Sequence, residues 1–142
     1  MRNTAIQPTA PATPRRREID HVTLRQMFDL LVRAREGETI AQLLDDLYEA
    51  LTIHFAGEES SGGFFDTLLA RHAAQVAQLR EEHRVFLEEI ARLRGEVTPE
   101  LEPVPSKIVR QLVDLVAALR DHEALEEHLL VDSIGSDFGG EN

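Results

Sequence analysis

Apolar residues recur at three- and four-residue steps along most of the chain, the mark of one buried face on each of several α-helices. The first stripe runs His21, Leu24, Phe28 and Leu31, on a helix opening near Glu18, and Gly37 reads as its stop. Thr39, with Gln42 three residues on, has the form of a capping box that starts a second helix. Its stripe is Ile40, Leu43 or Leu44, Leu47, Leu51, His54 and Glu58. A third stripe carries Val76, Leu79, His83, Phe86, Ile90 and Leu93. Gly95 and the segment Pro99–Pro105 end it, because successive prolines cannot continue a helix. Ser106 is the expected cap of a fourth helix with the stripe Ile108, Leu112, Leu115, Leu119, His122, Glu126 and Leu129.

Four amphipathic segments with short connections predict an all-α protein, an antiparallel up-down-up-down four-helix bundle over residues 17–131. Residues 1–16, rich in Ala, Thr and Pro and without periodicity, read as a flexible lead. Residues 132–142, polar and Gly-rich, read as a flexible tail.

Composition narrows the chemistry. The chain has 142 residues, enough for one domain with one core, and aromatics make up only 5%, so that core is mostly Leu, Val, Ile and Ala. The formal net charge of −11 repels nucleic acid and anionic membranes, which argues against both as partners. Arg15 to Arg17 form too short a basic run to reverse this. The absence of cysteine excludes disulfides, thiolate nucleophiles and iron–sulfur ligation. With no long apolar run and no hydrophobic leader in the first residues, a cytoplasmic protein is expected.

The informative residues are polar ones on apolar stripes. His21, His54, Glu58, His83, His122 and Glu126 all take positions otherwise filled by Leu, Ile, Val and Phe. A single histidine so placed is ordinarily a hydrogen-bonded core residue, and a lone His–Glu pair four apart is ordinarily an intrahelical contact. Two buried carboxylates with four histidines need a common explanation, because a carboxylate on a buried face is costly unless paired or metal-bound.

Register supplies a second test. Residues in an antiparallel pair are level when they lie equally far from the turn. The midpoint of His21 and His54 falls at Gly37–Glu38, and that of His83 and His122 at Glu102–Pro103, both at turns assigned from Gly and Pro alone. Glu58 and His83 are level only if the second turn lies near Ala70–Arg71, so helix two is expected to persist, bent at Gly62-Gly63, to about Leu69. A tight hairpin at the double glycine would instead displace His83 by about 16 residues, or roughly 24 Å at the rise of an α-helix.

His54 with Glu58, and His122 with Glu126, each project from one helical face. Imidazole plus carboxylate suits iron, manganese or zinc rather than calcium or magnesium. Four nitrogens and two carboxylates able to bridge suggest two metals rather than one.

With His21, the segment HFAGEE (His54 to Glu59), EEH ending at His83 and HEALEE (His122 to Glu127), the sequence resembles the hemerythrin-like, or HHE cation-binding, family over about Glu18 to Val131. The resemblance implies a four-helix bundle with a bridged non-haem di-iron centre, holding two iron ions. Members of the family bind dioxygen, sense oxygen or redox state, or handle iron. By this resemblance His21 and His54 serve one iron, His83 and His122 the other, and Glu58 and Glu126 bridge them.

Oxygen-carrying hemerythrins have a second histidine four residues from the first on helix three, where this chain has Leu79 and Leu87. They also place an aspartate five residues after the last-helix histidine, where this chain has Glu127, with Glu126 one residue earlier. These departures point from reversible carriage toward redox or peroxide chemistry or iron sensing. The ferritin-like Glu-x-x-His pattern is absent, since Arg80 and Leu119 stand three residues before His83 and His122. HEALE at 122–126 lacks the second histidine of the zinc-protease motif.

The leading expectation is therefore a di-iron protein acting on dioxygen, peroxide or nitric oxide, or responding to iron. The alternative is a metal-free helical interaction module, and a peroxidase or oxidase is a third reading. Glu59, Glu82, Glu123 and Glu127 are expected at the surface or hydrogen-bonded to ligands, with Glu59 and Glu127 as substitutes if the register shifts by one. His72 is expected at a loop or helix start, outside the site, and His128 in solvent.

Overall fold

The computed structural model describes residues 20–139, with side chains described as far as residue 135. The expected flexible lead, residues 1–16, lies outside the described residues, as does the basic run Arg15 to Arg17. Four helices make up the described chain: α1 His21–Arg33, α2 Gly37–Glu59, α3 Phe64–Glu96 and α4 Ser106–Gly139. No strand occurs among the described residues.

Helix α1 starts where Asp20 Oδ1 accepts the Thr23 amide at 2.8 Å, satisfying one of the donors a helix start leaves free. It stops at Arg33, with Ala34 already extended. Gly37 is the first residue of α2 rather than the stop of α1, and the Thr39 capping box does not form: Glu36 holds the cap position, and Gln42 bonds Asp46 instead. Gly37 is needed for close approach. A Cβ there would lie 2.6 Å from the Leu101 carbonyl oxygen and 2.8 Å from that of Thr98. The α1–α2 connection therefore packs on the α3–α4 connection. Ser106 is the first turn of α4 rather than its cap, with the Pro105 carbonyl accepting from Ile108 and Val109. At the other end α4 continues to Gly139, which takes in part of the expected flexible tail, residues 132–142; the last three of these lie outside the described residues.

Helix α1 packs on α2 and α4, and α3 on α2 and α4, while among the described residues the diagonal pairs meet only through side chains at the centre, so the four helices stand in a square. Asp45 meets Arg94 at 2.7 Å and Glu58 meets His83 at 3.1 Å, so facing residues on α2 and α3 run in opposite directions. The expected stripes fill the centre: Leu24, Phe28 and Leu31 meet Ile40, Leu44, Leu47 and Leu51 from α2, Phe86, Ile90 and Leu93 from α3, and Ile108, Leu112, Leu115 and Leu119 from α4. Leu44 takes the core position that the sequence shared between Leu43 and Leu44.

The second connection differs from expectation. Helix α2 ends at Glu59, and Ser60–Gly63 break the helix at the double glycine. Gly62 adopts a positive φ of 76°, a conformation glycine takes at no steric cost. A Cβ on Gly63 would lie 2.4 Å from the Gly57 carbonyl oxygen. The chain does not reverse there. It reverses within α3 at His72, whose φ of −129° and ψ of 39° interrupt the helix. Phe65 and His83 demonstrate the fold-back: their rings lie 5.1 Å apart, whereas 18 residues of straight helix would separate them by about 27 Å. Residues 64–71 thus form an arm beyond the break. Phe65 and Leu68 from the arm pack on Val76, Leu79 and Leu129, closing one end of the bundle with a second small core.

Candidate metal centre

The break at the double glycine and the reversal at His72 together set the register of the site. Because the chain turns at His72 rather than at Gly62-Gly63, His83 comes level with Glu58, as the expected reversal near Ala70–Arg71 requires. His54 Nε2 lies 3.2 Å from Glu58 Oε2, His83 Nε2 lies 3.1 Å from Glu58 Oε1, and His122 Nε2 lies 3.1 Å from Glu126 Oε2. His83 Nε2 is also 3.8 Å from Glu126. The His21 and His54 rings meet edge to face at 5.0 Å, and the His83 and His122 rings at 4.9 Å.

All six residues singled out in the sequence meet at this depth, in two groups that share Glu58. Glu58, His83, His122 and Glu126 form one, all buried, and His21, His54 and Glu58 form the other, graded from exposed to buried. Within each group the candidate ligand atoms lie within 4.8 Å of one another.

The two inner histidines are held from behind by carboxylates on neighbouring helices. Glu59, the last residue of α2, lies 2.6 Å from Nδ1 of His83 on α3. Glu82 of α3 lies 2.7 Å from Nδ1 of His122 on α4. An ionised carboxylate can only accept, so each Nδ1–H donates, which leaves Nε2 turned toward the centre as the nitrogen open to a metal. These two carboxylates were expected at the surface or bonded to ligands, and the structure gives both the second role. Their signal in the sequence was adjacency: each stands next to a candidate ligand on the same helix, Glu59 after Glu58 and Glu82 before His83. Glu123 lies 3.4 Å from His21 Nδ1 and 3.6 Å from Arg25 Nε.

Aromatic rings cover the inner imidazoles. Phe55 stacks on His83 at 3.7 Å, Phe65 covers the same ring at 5.1 Å, and Phe86 meets His122 edge-on at 5.3 Å. The outer side opens into a cavity of about 1050 Å³ that reaches His21, Arg25, His54, Phe64 and Glu123. His72 stands apart from the site, at the reversal, 3.1 Å from Asp132 on α4, and His128 is exposed as expected.

The residues fit a metal on an observation independent of family. Glu58 Oε1, His83 Nε2, His122 Nε2 and both Glu126 oxygens are buried and have no aligned hydrogen-bond partner. Close approach without alignment leaves these donors turned to a common interior point, and leaving such groups unsatisfied is expensive. Without a cation the cluster compensates by protonation. Burial opposes a charge on His83, but the carboxylates of Glu126, Glu58 and Glu59 overcome it and raise its pKa to about 9. Burial likewise opposes charge on His54 and His122, and Glu58 and Glu126 respectively outweigh it, so both are raised. Burial pushes Glu58 up, yet its contacts with His54 and His83 win and hold it below the usual carboxylate range. The inner cluster pairs two histidines with two carboxylates, the charge pattern a divalent ion would neutralise directly.

No curated protein and no solved structure matches the chain. The family model for the hemerythrin HHE cation binding domain matches residues 18–134, most of the sequence. With that match and the bundle it predicts, the chain belongs to the hemerythrin HHE cation-binding domain family.

Proposed function

We propose that this protein is a non-haem di-iron protein that interacts with dioxygen, peroxide or nitric oxide, or that senses or handles iron. The observation that carries the reading is the buried quartet Glu58, His83, His122 and Glu126, whose ligand atoms converge without aligned hydrogen-bond partners. His83 and His122 would hold one ion, His21 and His54 the other, and Glu58 and Glu126 would span them. Bound iron would supply an open coordination position and electrons for a small oxidant. The chain's own residues do the rest. Glu59 and Glu82 fix the two buried imidazoles, the phenylalanines cover their faces, and the cavity beside His21 and His54 admits a small ligand.

A cytoplasmic setting belongs to the same proposal. Among the described residues no helix is long and apolar enough to cross a membrane. The metal-free interaction module is disfavoured by the unpaired buried donors, which such a module would have no reason to keep.

Metal analysis of the purified protein, with visible spectra before and after azide, tests the reading. About two irons per chain, with near-ultraviolet bands that respond to azide, support it. No metal as purified and none taken up anaerobically would overturn it.

A further inference from the structure

We infer that the two metal positions are inequivalent by construction: the inner one, on His83 and His122, retains its ion, and the outer one, on His21 and His54, exchanges it. The inference rests on the two-metal reading and adds to it a division of labour, a permanent inner ion and a labile outer one.

Three features of the chain separate the positions. The first is the bracing of the imidazoles. Both inner rings donate Nδ1–H to a carboxylate, to Glu59 at 2.6 Å and to Glu82 at 2.7 Å. Such a bond fixes the ring and strengthens Nε2 as a donor, and removing such partners from metal sites typically costs about tenfold to a hundredfold in affinity. The outer rings lack this. Among the described residues the only carboxylate within ion-pair distance of His54 is Glu58, itself a candidate ligand, and His21 sits 3.4 Å from Glu123, too poorly aligned for a hydrogen bond.

The second feature is the burial of the donors. All four residues of the inner group are buried, whereas the outer group runs from exposed His21 through half-buried His54 to the shared Glu58. The third is access. His83 and His122 side chains are 3% and 2% exposed, but that of His21 is 46% exposed and stands at the mouth of the large cavity. An ion leaving the outer position need only shed an exposed ligand. The cavity also touches Glu58 and Glu126, so an ion leaving the inner position must first part from two buried, braced imidazoles before it reaches that opening past the two carboxylates. A smaller, shallow recess of about 650 Å³ between α2 and α3 reaches Glu59 and His83, but the Nε2 atom of His83 remains buried.

Anaerobic titration of the metal-free protein with ferrous ion, followed by calorimetry, tests the inference. Two steps are expected, one ion bound at least about tenfold more tightly than the other, from the size of the bracing effect. Glu59→Gln and Glu82→Gln keep the shape and an acceptor oxygen but lose the charge. Each should weaken the tight step and leave the weak one within about threefold, and each should shift the Mössbauer doublet of protein carrying one equivalent of enriched iron. A role in folding alone would lower the melting temperature of the metal-free protein and leave that doublet unmoved, which would overturn the inference. His21→Ala should abolish the weak step and spare the tight one. Two steps of equal affinity, or loss of the tight step in His21→Ala, would overturn the inequivalence while leaving the two-metal reading intact. Failure to bind ferrous ion at all would overturn both.

Discussion

Glu59 and Glu58 grip His83 from opposite sides of its ring, Glu59 at Nδ1 (2.6 Å) and Glu58 at Nε2 (3.1 Å). Both carboxylates come from the last turn of α2, where the helix C-terminus would otherwise disfavour negative charge. Adjacent residues on a helix point about 100° apart, so the two can contact one ring only if that ring lies between their directions. The Ser60–Gly63 break and the reversal at His72 deliver His83 to that place.

Glu58 belongs to both candidate groups, so its loss should affect both ions. The double substitution His54→Ala with Glu58→Ala is expected to abolish iron loading, measured as metal per chain after anaerobic reconstitution. Full loading of that variant would refute the ligand assignment.

Metal removal should lower thermal stability. A ligand held only by the folded state contributes about 2.7 kcal/mol at a hundredfold excess over its Kd, enough to move the midpoint of a chain of this size by several degrees. Chelator-treated and iron-loaded protein compared by differential scanning calorimetry should show that gap. Coincident melting curves would contradict it.

Metal uptake should release protons. Nε2 of His83 must be deprotonated to ligate, and its pKa of about 9 in the metal-free protein means that it is protonated at neutral pH. Apparent affinity should therefore rise with pH up to about pH 9, by about tenfold per unit for each proton displaced. Calorimetry at pH 7 in two buffers of different ionisation enthalpy counts the protons, and a count of zero would contradict the ligation of His83.

Metal-free stability should run the opposite way at alkaline pH. Because the folded pKa of His83 is raised from 6.5 to about 9, its contribution is complete below pH 6.5 and is lost as pH rises through about 9. Glu58 is depressed from 4.5, so its contribution is complete above pH 4.5 and is lost as pH falls through its lower folded value. Both are fully present only between about pH 4.5 and 6.5. Urea midpoints of chelated protein should fall from pH 6 to pH 9.5, with a shallower fall in His83→Gln. Equal slopes in the two proteins would assign the effect to the acidic surface instead.

The glycines divide by what surrounds them. Gly63→Ala would drive a methyl into the carbonyls of Gly57, Ser60 and Glu58 and should cost about 1–3 kcal/mol. Gly95 lies in the last turn of α3, where an added Cβ would meet nothing within 4 Å, so Gly95→Ala should stabilise slightly, by less than the roughly 0.5–1 kcal/mol of a helix interior. Chemical denaturation of both variants separates them, and similar effects would mean that backbone crowding at Gly63 is not what the break depends on.

Much of this protein was legible in its sequence, because helical periodicity and the cost of burying charge are local properties. The stripes named the core from Leu24 to Leu129, and the six polar intruders named the candidate ligands. The match of midpoints to turns placed them at a common depth, since rise per residue is the same in every helix. Cap positions were less legible. Gly37 looks like a helix stop and is a helix start, because its role is set by the Leu101 and Thr98 carbonyls more than 60 residues away. The reversal at His72 was required by register, but no glycine or proline marks it. It is held by packing of Phe65 and Leu68 against Val76, Leu79 and Leu129. The sequence by itself determined the four apolar stripes and the polar residues set on them, through periodicity alone. Only the tertiary structure decided that Glu59 and Glu82 brace the inner histidines while His21 stays open to solvent, because those contacts join different helices and depend on how the helices rotate against one another.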